Sequence, residues 1–223
     1  MSKILVIGAR GRAGSAAVAE ARRRGHDVLG VVRTAGGTRA DDGEAGGATA
    51  DPVGGRGVDV RAAATVVGDV TDAGRIAELA AGRDAVIAGV YDGGAEFFPR
   101  AARALVEGLE KAGVRRLVWV GLASILPTAD GTLLMGTDGY PRDYRSFFLA
   151  HQAALEVFAT SDLDWVSLAP AGDFDHADPS AKGGYRVAPA DAQALISYAD
   201  FAVALADEAD HPTRHRAAFG VLV

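Results

Sequence analysis

The chain has 223 residues and a formal net charge of −6, with 49% of its residues hydrophobic and 23% charged. This composition is typical of a compact globular protein and excludes disordered, collagen-like and coiled-coil classes, while the acidic balance disfavours a nucleic-acid partner. The absence of cysteine excludes disulfides, zinc–cysteine sites, iron–sulfur clusters and thiol catalysis.

The first 33 residues predict a strand, a glycine turn, a helix and a second strand. Lys3 to Ile7 is a short apolar, β-branched run typical of a strand buried on both faces. Ser15 to Arg24 predicts a helix that ends at Gly25, and Asp27 to Val32 predicts the next strand. Such a unit places two parallel strands side by side.

The alternation of strands and helices continues along the chain. Residues 35–63, with paired glycines and no helical apolar period, are expected to form a surface excursion. The elements predicted after it are strand Ala64–Val67, helix Ala73–Ala81, strand Ala85–Val90, helix Phe98–Ala112, strand Arg116–Val120, a loop from Ser124 to Pro141, helix Tyr144–Thr160 and strand Trp165–Leu168. This pattern predicts an α/β fold, a doubly wound Rossmann-type parallel sheet.

The tail, residues 171–223, is expected to be a small C-terminal extension that caps the substrate side. It predicts a glycine-rich loop, a short strand near Tyr185–Val187, a helix near Tyr198–Ala209 and a last strand near Ala217–Val223. No break in composition marks a second domain, so residues 1–223 are expected to form one domain.

The longest apolar run and the first residues of the chain indicate where in the cell the protein is expected. Leu117 to Leu126 is about half of the roughly 20 residues that a membrane-spanning helix needs. Met1 is followed by the first strand-like run rather than by a signal-peptide pattern. We therefore expect a cytoplasmic protein with no membrane partner.

The turn between the first strand and the first helix, Gly8-Ala9-Arg10-Gly11-Arg12-Ala13-Gly14, has glycines at three-residue steps. In this position the spacing is typical of a dinucleotide-binding turn, although the usual fingerprint has glycine at position 9. Gly8 would permit the tight turn, Gly11 the approach of a pyrophosphate and Gly14 close packing of the helix, whose first N–H groups would bind phosphate. A turn that serves only the fold is the alternative.

The end of the second strand bears on which dinucleotide is bound. NAD-selective sites place an acidic residue there, whereas this chain has Arg33. Arg33, with Arg10 or Arg12, would suit a 2′-phosphate, so NADP(H) is favoured over NAD(H). An ordinary surface charge is the alternative interpretation of Arg33.

Three further segments follow strand ends, where a dinucleotide should lie. Asp69, beside Val70, is expected to accept a hydrogen bond from the adenine amine, with helix capping as the alternative. Ala88, Gly89 and Val90, and then Gly121 to Ser124, should border the nicotinamide half.

On these residues the chain resembles atypical short-chain dehydrogenases/reductases, specifically the NmrA-like NAD(P)H-binding family, also described as NAD-dependent epimerase/dehydratase-like. The resemblance extends over nearly the whole chain. It implies one NAD(P)-binding Rossmann-fold domain over residues 1–223, a small-molecule substrate and, because such proteins commonly form dimers or tetramers, a homodimer. The segments that carry it are Ile7–Ser15, Gly68–Asp72, Ala112–Leu117, Ser161–Trp165, Ala169–Ala171 and Ile196–Ala202.

Catalytic members of this group use a Tyr-x-x-x-Lys pair, which this chain lacks. Counted back from Ser161, Phe147 and His151 stand in those two positions. His151 is interpreted either as a core histidine that a backbone group satisfies, or as a catalytic residue that binds substrate or shuttles a proton. Ser124, at the family's serine position, is expected to donate a hydrogen bond to a substrate oxygen.

Other polar residues give weaker indications. Tyr91, Tyr140 and Tyr144 are further hydroxyls that could reach the pocket, and the sequence does not rank them. His211 and His215 are four residues apart, but Pro212 interrupts a helix between them, so no metal is expected.

Three functions fit these residues. The first is an NADPH-dependent oxidoreductase that passes hydride to a small conjugated, quinone-like or carbonyl acceptor without a Tyr-x-x-x-Lys pair. The second is a non-catalytic NADP(H)-sensing regulator, and the third is a non-redox isomerase or cyclase of secondary metabolism. The intact glycine turn and Arg33 argue against loss of the cofactor. A small acidic chain with no appended partner domain favours an enzyme over a sensor, so the first function is preferred.

Overall fold

The computed structural model describes residues 1–33, 64–92, 94, 96–178 and 180–223, so the predicted surface excursion at 35–63 lies outside the described residues. The strands are β1 (Lys3–Ile7), β2 (Asp27–Val32), β3 (Ala64–Val67), β4 (Ala85–Ala88), β5 (Arg116–Val120), β6 (Asp164–Pro170), β7 (Asp173–Phe174), β8 (Arg186–Ala188), β9 (Leu195–Ile196) and β10 (Ala217–Leu222). The helices are α1 (Arg12–Arg23), α2 (Ala73–Ala80), α3 (Phe97–Ala112), α4 (Arg145–Ala159) and α5 (Tyr198–Asp210).

Eight of the described strands form one sheet in the order β3-β2-β1-β4-β5-β6-β10-β8. Every neighbouring pair is parallel except β10 and β8, which are antiparallel. The order of its first six strands is that of the dinucleotide-binding Rossmann sheet, with the switch point between β1 and β4. The prediction of a doubly wound α/β fold is confirmed.

The two faces of the sheet are covered by separate apolar cores. Along β1, Leu5 and Ile7 belong to the core under α2, α3 and α4, while Ile4 and Val6 belong to the core under α1 and α5. All four side chains are at most 2% exposed. A strand covered on both faces must be apolar throughout, which is why β1 was recognisable as central from its sequence.

The C-terminal residues contribute both to the main sheet layers and to a smaller separate sheet. α5 packs against α1, and β10 pairs with β6 from Ala217 to Val221, so both belong to the main sheet layers. The connection between β6 and α5 instead forms a separate two-stranded piece, in which β7 pairs with β9. Among the described residues, no helix has both the length and the apolar character needed to cross a membrane.

Candidate functional site

The glycine turn lies at the switch point and is held by contacts that leave no room for side chains. Gly8 has a φ of +80°, and a Cβ there would overlap the carbonyl oxygen of Gly89 at the end of β4. A Cβ at Gly14 would overlap the carbonyl oxygen of Gly8. Gly8 and Gly14 therefore let the turn and α1 pack directly on β4.

Gly11 differs from the other two glycines because it lies at the surface. It is exposed, and a Cβ there would lie 3.3 Å from the Gly8 carbonyl oxygen, a tight contact without overlap. Gly11 is also the N-cap of α1 and makes no side-chain cap, so the N–H groups that start the helix lack intrahelical acceptors. The Gly11 N–H itself donates to the Gly8 carbonyl oxygen at 2.9 Å. The N–H groups of Arg12 and Ala13 at the start of the helix fit a pyrophosphate, which the missing side chain at Gly11 lets approach.

Arg33 and Asp92 form an exposed ion pair beside this turn. The Arg33 Nη1 atom lies 3.3 Å from the Asp92 Oδ2 atom, and the two side chains are 72% and 45% exposed. Such an exposed pair stabilises a protein by less than about 1 kcal/mol, so a phosphate can replace the carboxylate. Arg33 is therefore open to an anionic ligand.

Asp69 follows β3 and stabilises its own turn. Its Oδ1 atom accepts hydrogen bonds from the Thr71 N–H at 2.8 Å and the Thr71 hydroxyl at 2.9 Å. The hydrogen bond from the Thr71 N–H, together with the positive charges of Arg100 and Arg33, lowers the pKa of Asp69. The carboxylate is thus ionised and exposed near Arg33, while Asp72 caps α2 by accepting from the Arg75 N–H.

Ser124 lies in a short 3₁₀ turn that follows β5, and it is 2% exposed. Its Oγ atom is 2.8 Å from the Oη atom of Tyr140, which lies in the loop before α4. The Tyr140 ring packs against Phe148 of α4 with ring centroids 5.7 Å apart. The structure therefore singles out Tyr140 among the three candidate tyrosines as the partner of Ser124.

His151 is buried in an aromatic cluster between α3 and α4. Its ring centroid lies 3.9 Å from that of Phe98 and 4.8 Å from that of Phe147, and the residue is 6% exposed. Among the described residues its buried Nδ1 atom has no hydrogen-bond partner. Burial lowers the pKa of His151 to about 3, which keeps the imidazole neutral at neutral pH.

The connection between β6 and α5 reaches the glycine turn. The Arg12 Nη1 atom lies 3.3 Å from the His176 Nδ1 atom. Farther along, the fully buried carboxylate of Asp200 accepts from the N–H groups of Lys182, Gly183 and Gly184 and from the Ser197 hydroxyl. This network fixes one end of the connection against α5.

The predicted site residues thus fall into separate groups. The first lies at the switch point and the strand ends beside it: Gly8, Arg10, Gly11, Arg12, Ala13, Gly14, Arg33, Asp69, Val70, Ala88, Gly89 and Val90. Ser124 forms a second group with Tyr140, whereas His151 packs into the core. Sequence reasoning missed Asp92 as the partner of Arg33 and Tyr140 as the partner of Ser124, because both contacts join loops without a periodic pattern.

Comparisons with known proteins were made by family and by structure. A family model described as NAD(P)H-binding matches residues 8–212. The uncharacterized protein YwnB of Bacillus subtilis (strain 168) is 31% identical over 231 residues, which cover 99% of this chain and 98% of that protein. The expected resemblance to an NAD(P)H-binding family is confirmed.

Solved structures share the whole fold. A "Putative exported protein" from Burkholderia pseudomallei has a TM-score of 0.79 at 30% identity and covers 100% of both chains. A "putative epimerase" from Bacteroides thetaiotaomicron has a TM-score of 0.77 at 27% identity and covers 99% of this chain and 96% of its own. A "putative NADH-flavin reductase" from Streptococcus pneumoniae TIGR4, at 24% identity and a TM-score of 0.75, covers 100% and 99% and shares the fold.

Proposed function

The chain belongs to the NAD(P)H-binding family, and from that premise we propose that it is an NADP(H)-dependent reductase of a small conjugated, quinone-like or carbonyl acceptor. One observation carries the proposal: the glycine turn is built against the end of β4 with Gly11 open, and Arg33 stands at the end of β2. When bound there, the reduced nicotinamide supplies the hydride, so the protein has only to bind, orient and protonate.

The proposed cofactor contacts divide by chemical group. The N–H groups of Arg12 and Ala13 would bind the pyrophosphate beside Gly11, and Arg33 would bind the 2′-phosphate in place of Asp92. Asp69 and Val70 would border the adenine. Ala88, Gly89 and Val90 would line the path toward the nicotinamide.

The first test is fluorescence titration of the purified protein with NADPH and with NADH. Arg33→Ala is expected to weaken NADPH binding by about tenfold or more, since one charge-assisted hydrogen bond is worth roughly 1.5–3 kcal/mol, and to leave NADH binding unchanged. Gly11→Ala is expected to weaken both. Arg22→Ala, in the last turn of α1 at the opposite end of the helix, is the matched control.

The titration separates the components of the proposal. Equal affinity for both dinucleotides, unaffected by Arg33→Ala, would overturn the preference for NADP(H). No binding of either dinucleotide would overturn the proposed function. Oxidation of bound NADPH by quinones, flavins or enones, followed at the nicotinamide absorbance band, then tests turnover.

A second candidate is a non-catalytic NADP(H) sensor. It is favoured by Phe147 and His151, which pack into the aromatic cluster where catalytic relatives have tyrosine and lysine. Tight NADPH binding with no turnover of any acceptor would support it over the reductase.

A further inference from the structure

The hydroxyl groups of Ser124 and Tyr140 form a pair. Neither hydroxyl takes part in the cofactor contacts proposed above. The two oxygens are 2.8 Å apart, although they come from the turn after β5 and from the loop before α4. They differ in access, because Ser124 is 2% exposed and Tyr140 is half-buried. Tyr140 is therefore the member of the pair that a ligand can reach.

The pair carries two protons and uses one of them in its mutual hydrogen bond. When the Ser124 hydroxyl donates to the Tyr140 oxygen, the phenol proton is directed to a third group. Ser124 is 2% exposed and Tyr140 is half-buried, so a third group would approach the pair from the Tyr140 side. The phenol is thus a proton donor held in place by the serine.

The surroundings of the pair indicate what it would bind. Tyr140 packs against a small apolar cluster at the carboxyl ends of β5 and β6: Ala123, Leu126, Leu134, Ala169 and Ala190. These residues are buried, so the phenol has apolar surroundings, which suit an uncharged acceptor with one oxygen that needs a donor. A ketone, an enone or a quinone has this chemistry.

We propose that Tyr140 is the catalytic proton donor to the oxygen of a carbonyl acceptor and that Ser124 is its positioning residue. This inference rests on the proposed function. In it, Tyr140 supplies from a different segment the hydroxyl that Phe147 lacks. The acceptor would receive a hydride from the bound reduced dinucleotide, its carbonyl π bond would break, and its oxygen would take the Tyr140 proton. The tyrosinate then regains a proton from water, so the acceptor gains two electrons and two hydrogens.

The test compares Tyr140→Phe with Tyr144→Phe. Both remove one hydroxyl, and both rings pack against Phe148, at 5.7 Å and 6.5 Å between centroids. Tyr140→Phe is expected to lower kcat for quinone and enone acceptors by about 100-fold or more, in the range for general acid catalysis, with unchanged NADPH affinity. Tyr144→Phe is expected to stay within about twofold of the wild type.

A second readout does not depend on turnover. The aldehyde dye 4-dimethylaminocinnamaldehyde absorbs at longer wavelength when its carbonyl oxygen accepts a strong hydrogen bond. The NADP⁺-loaded wild type and Tyr144→Phe should shift the band of the dye to the red, and Tyr140→Phe should not. Ser124→Ala should raise KM and weaken the shift, and Ser124→Thr, which retains a hydroxyl, should restore both.

The outcomes keep the two proposals distinct. If NADPH binds and is oxidised but Tyr140→Phe matches the wild type in kcat and in the dye spectrum, only the role of Tyr140 is overturned. If the wild type binds no NADPH, the proposed function itself fails. Thermal unfolding midpoints of the variants near that of the wild type exclude loss of fold as the cause of an effect.

Discussion

At the scale of single residues, His151 shows how burial decides what a side chain can do. An imidazole that is neutral down to about pH 3 cannot donate a proton as an imidazolium at neutral pH. Its ring packs against the rings of Phe98 and Phe147, as an apolar side chain would. His151 thus packs as a core residue does, with its Nδ1 atom unpaired among the described residues, and a catalytic role for it stays a prediction.

The buried imidazole should make the protein sensitive to acid. The unfolded histidine binds a proton below its ordinary pKa of 6.5, whereas the folded one stays neutral to about 3, so stability falls as the pH falls through this window. The slope is up to roughly 1.4 kcal/mol per pH unit. His151→Leu should remove it, so that the free energy of unfolding in urea falls less between pH 7 and pH 5 than in the wild type.

The control for this prediction is His211→Leu, because that side chain is 84% exposed. Its removal should leave the pH dependence of unfolding close to that of the wild type. An NMR titration that finds the folded His151 protonating near pH 6.5 would contradict the prediction.

At the scale of elements, the connection between β6 and α5 depends on the carboxylate of Asp200. Burial by itself would raise the pKa of Asp200. The carboxylate accepts hydrogen bonds from three successive N–H groups and from Ser197, and these outweigh burial, so the pKa is lowered. A buried carboxylate with this set of donors is an anchor for residues 182–184. Asparagine is nearly the same shape but replaces one acceptor oxygen with a donor.

Asp200→Asn is therefore expected to loosen this connection. The chain has three lysines, at positions 3, 111 and 182, so a lysine-specific protease reports on it directly. Cleavage after Lys182 should become several times faster, while cleavage after Lys111 in α3 should remain slow. Asp178→Asn, the same change at an exposed position of the same connection, is the control, and equal rates in both variants would contradict the prediction.

The elements themselves were largely predictable, and the reasons are local. β1, β4 and β5 are short apolar runs between glycines or charges, and α3 carries a continuous apolar face. The errors lie at boundaries: α1 begins at Arg12 rather than Ser15, and β6 continues to Pro170 because β10 pairs with it from Val166 to Pro170. The second of these depends on a distant segment, which local periodicity does not reveal.

The candidate site was predictable only where one short motif carries the chemistry. The glycine turn and Arg33 are contiguous with strand ends, so spacing places them together. The Ser124–Tyr140 contact joins residues 16 apart through a loop, and the burial of His151 depends on α3 packing against α4. Both features are tertiary contacts. A single sequence does not predict them, because no periodic pattern relates the residues that meet.

At the scale of the whole molecule, the C-terminal residues form part of the main core. Phe201 and Leu205 of α5 are fully buried in the core that α1 covers, and β10 supplies the buried Val221 beside β6. Without these elements the sheet would end at β6 with an unpaired edge, and one face of β1, β4 and β5 would lose part of its cover.

A chain that ends at Pro170 is therefore expected not to fold as a stable domain. It should lack a cooperative thermal transition and NADPH binding, because it exposes the apolar side chains that Phe201 and Leu205 cover. A chain that ends at Leu222 loses only Val223, which is 43% exposed, and should unfold like the wild type. Cooperative unfolding and NADPH binding by the shorter chain would instead mean that residues 171–223 are a separable cap on a Rossmann core that is complete at β6.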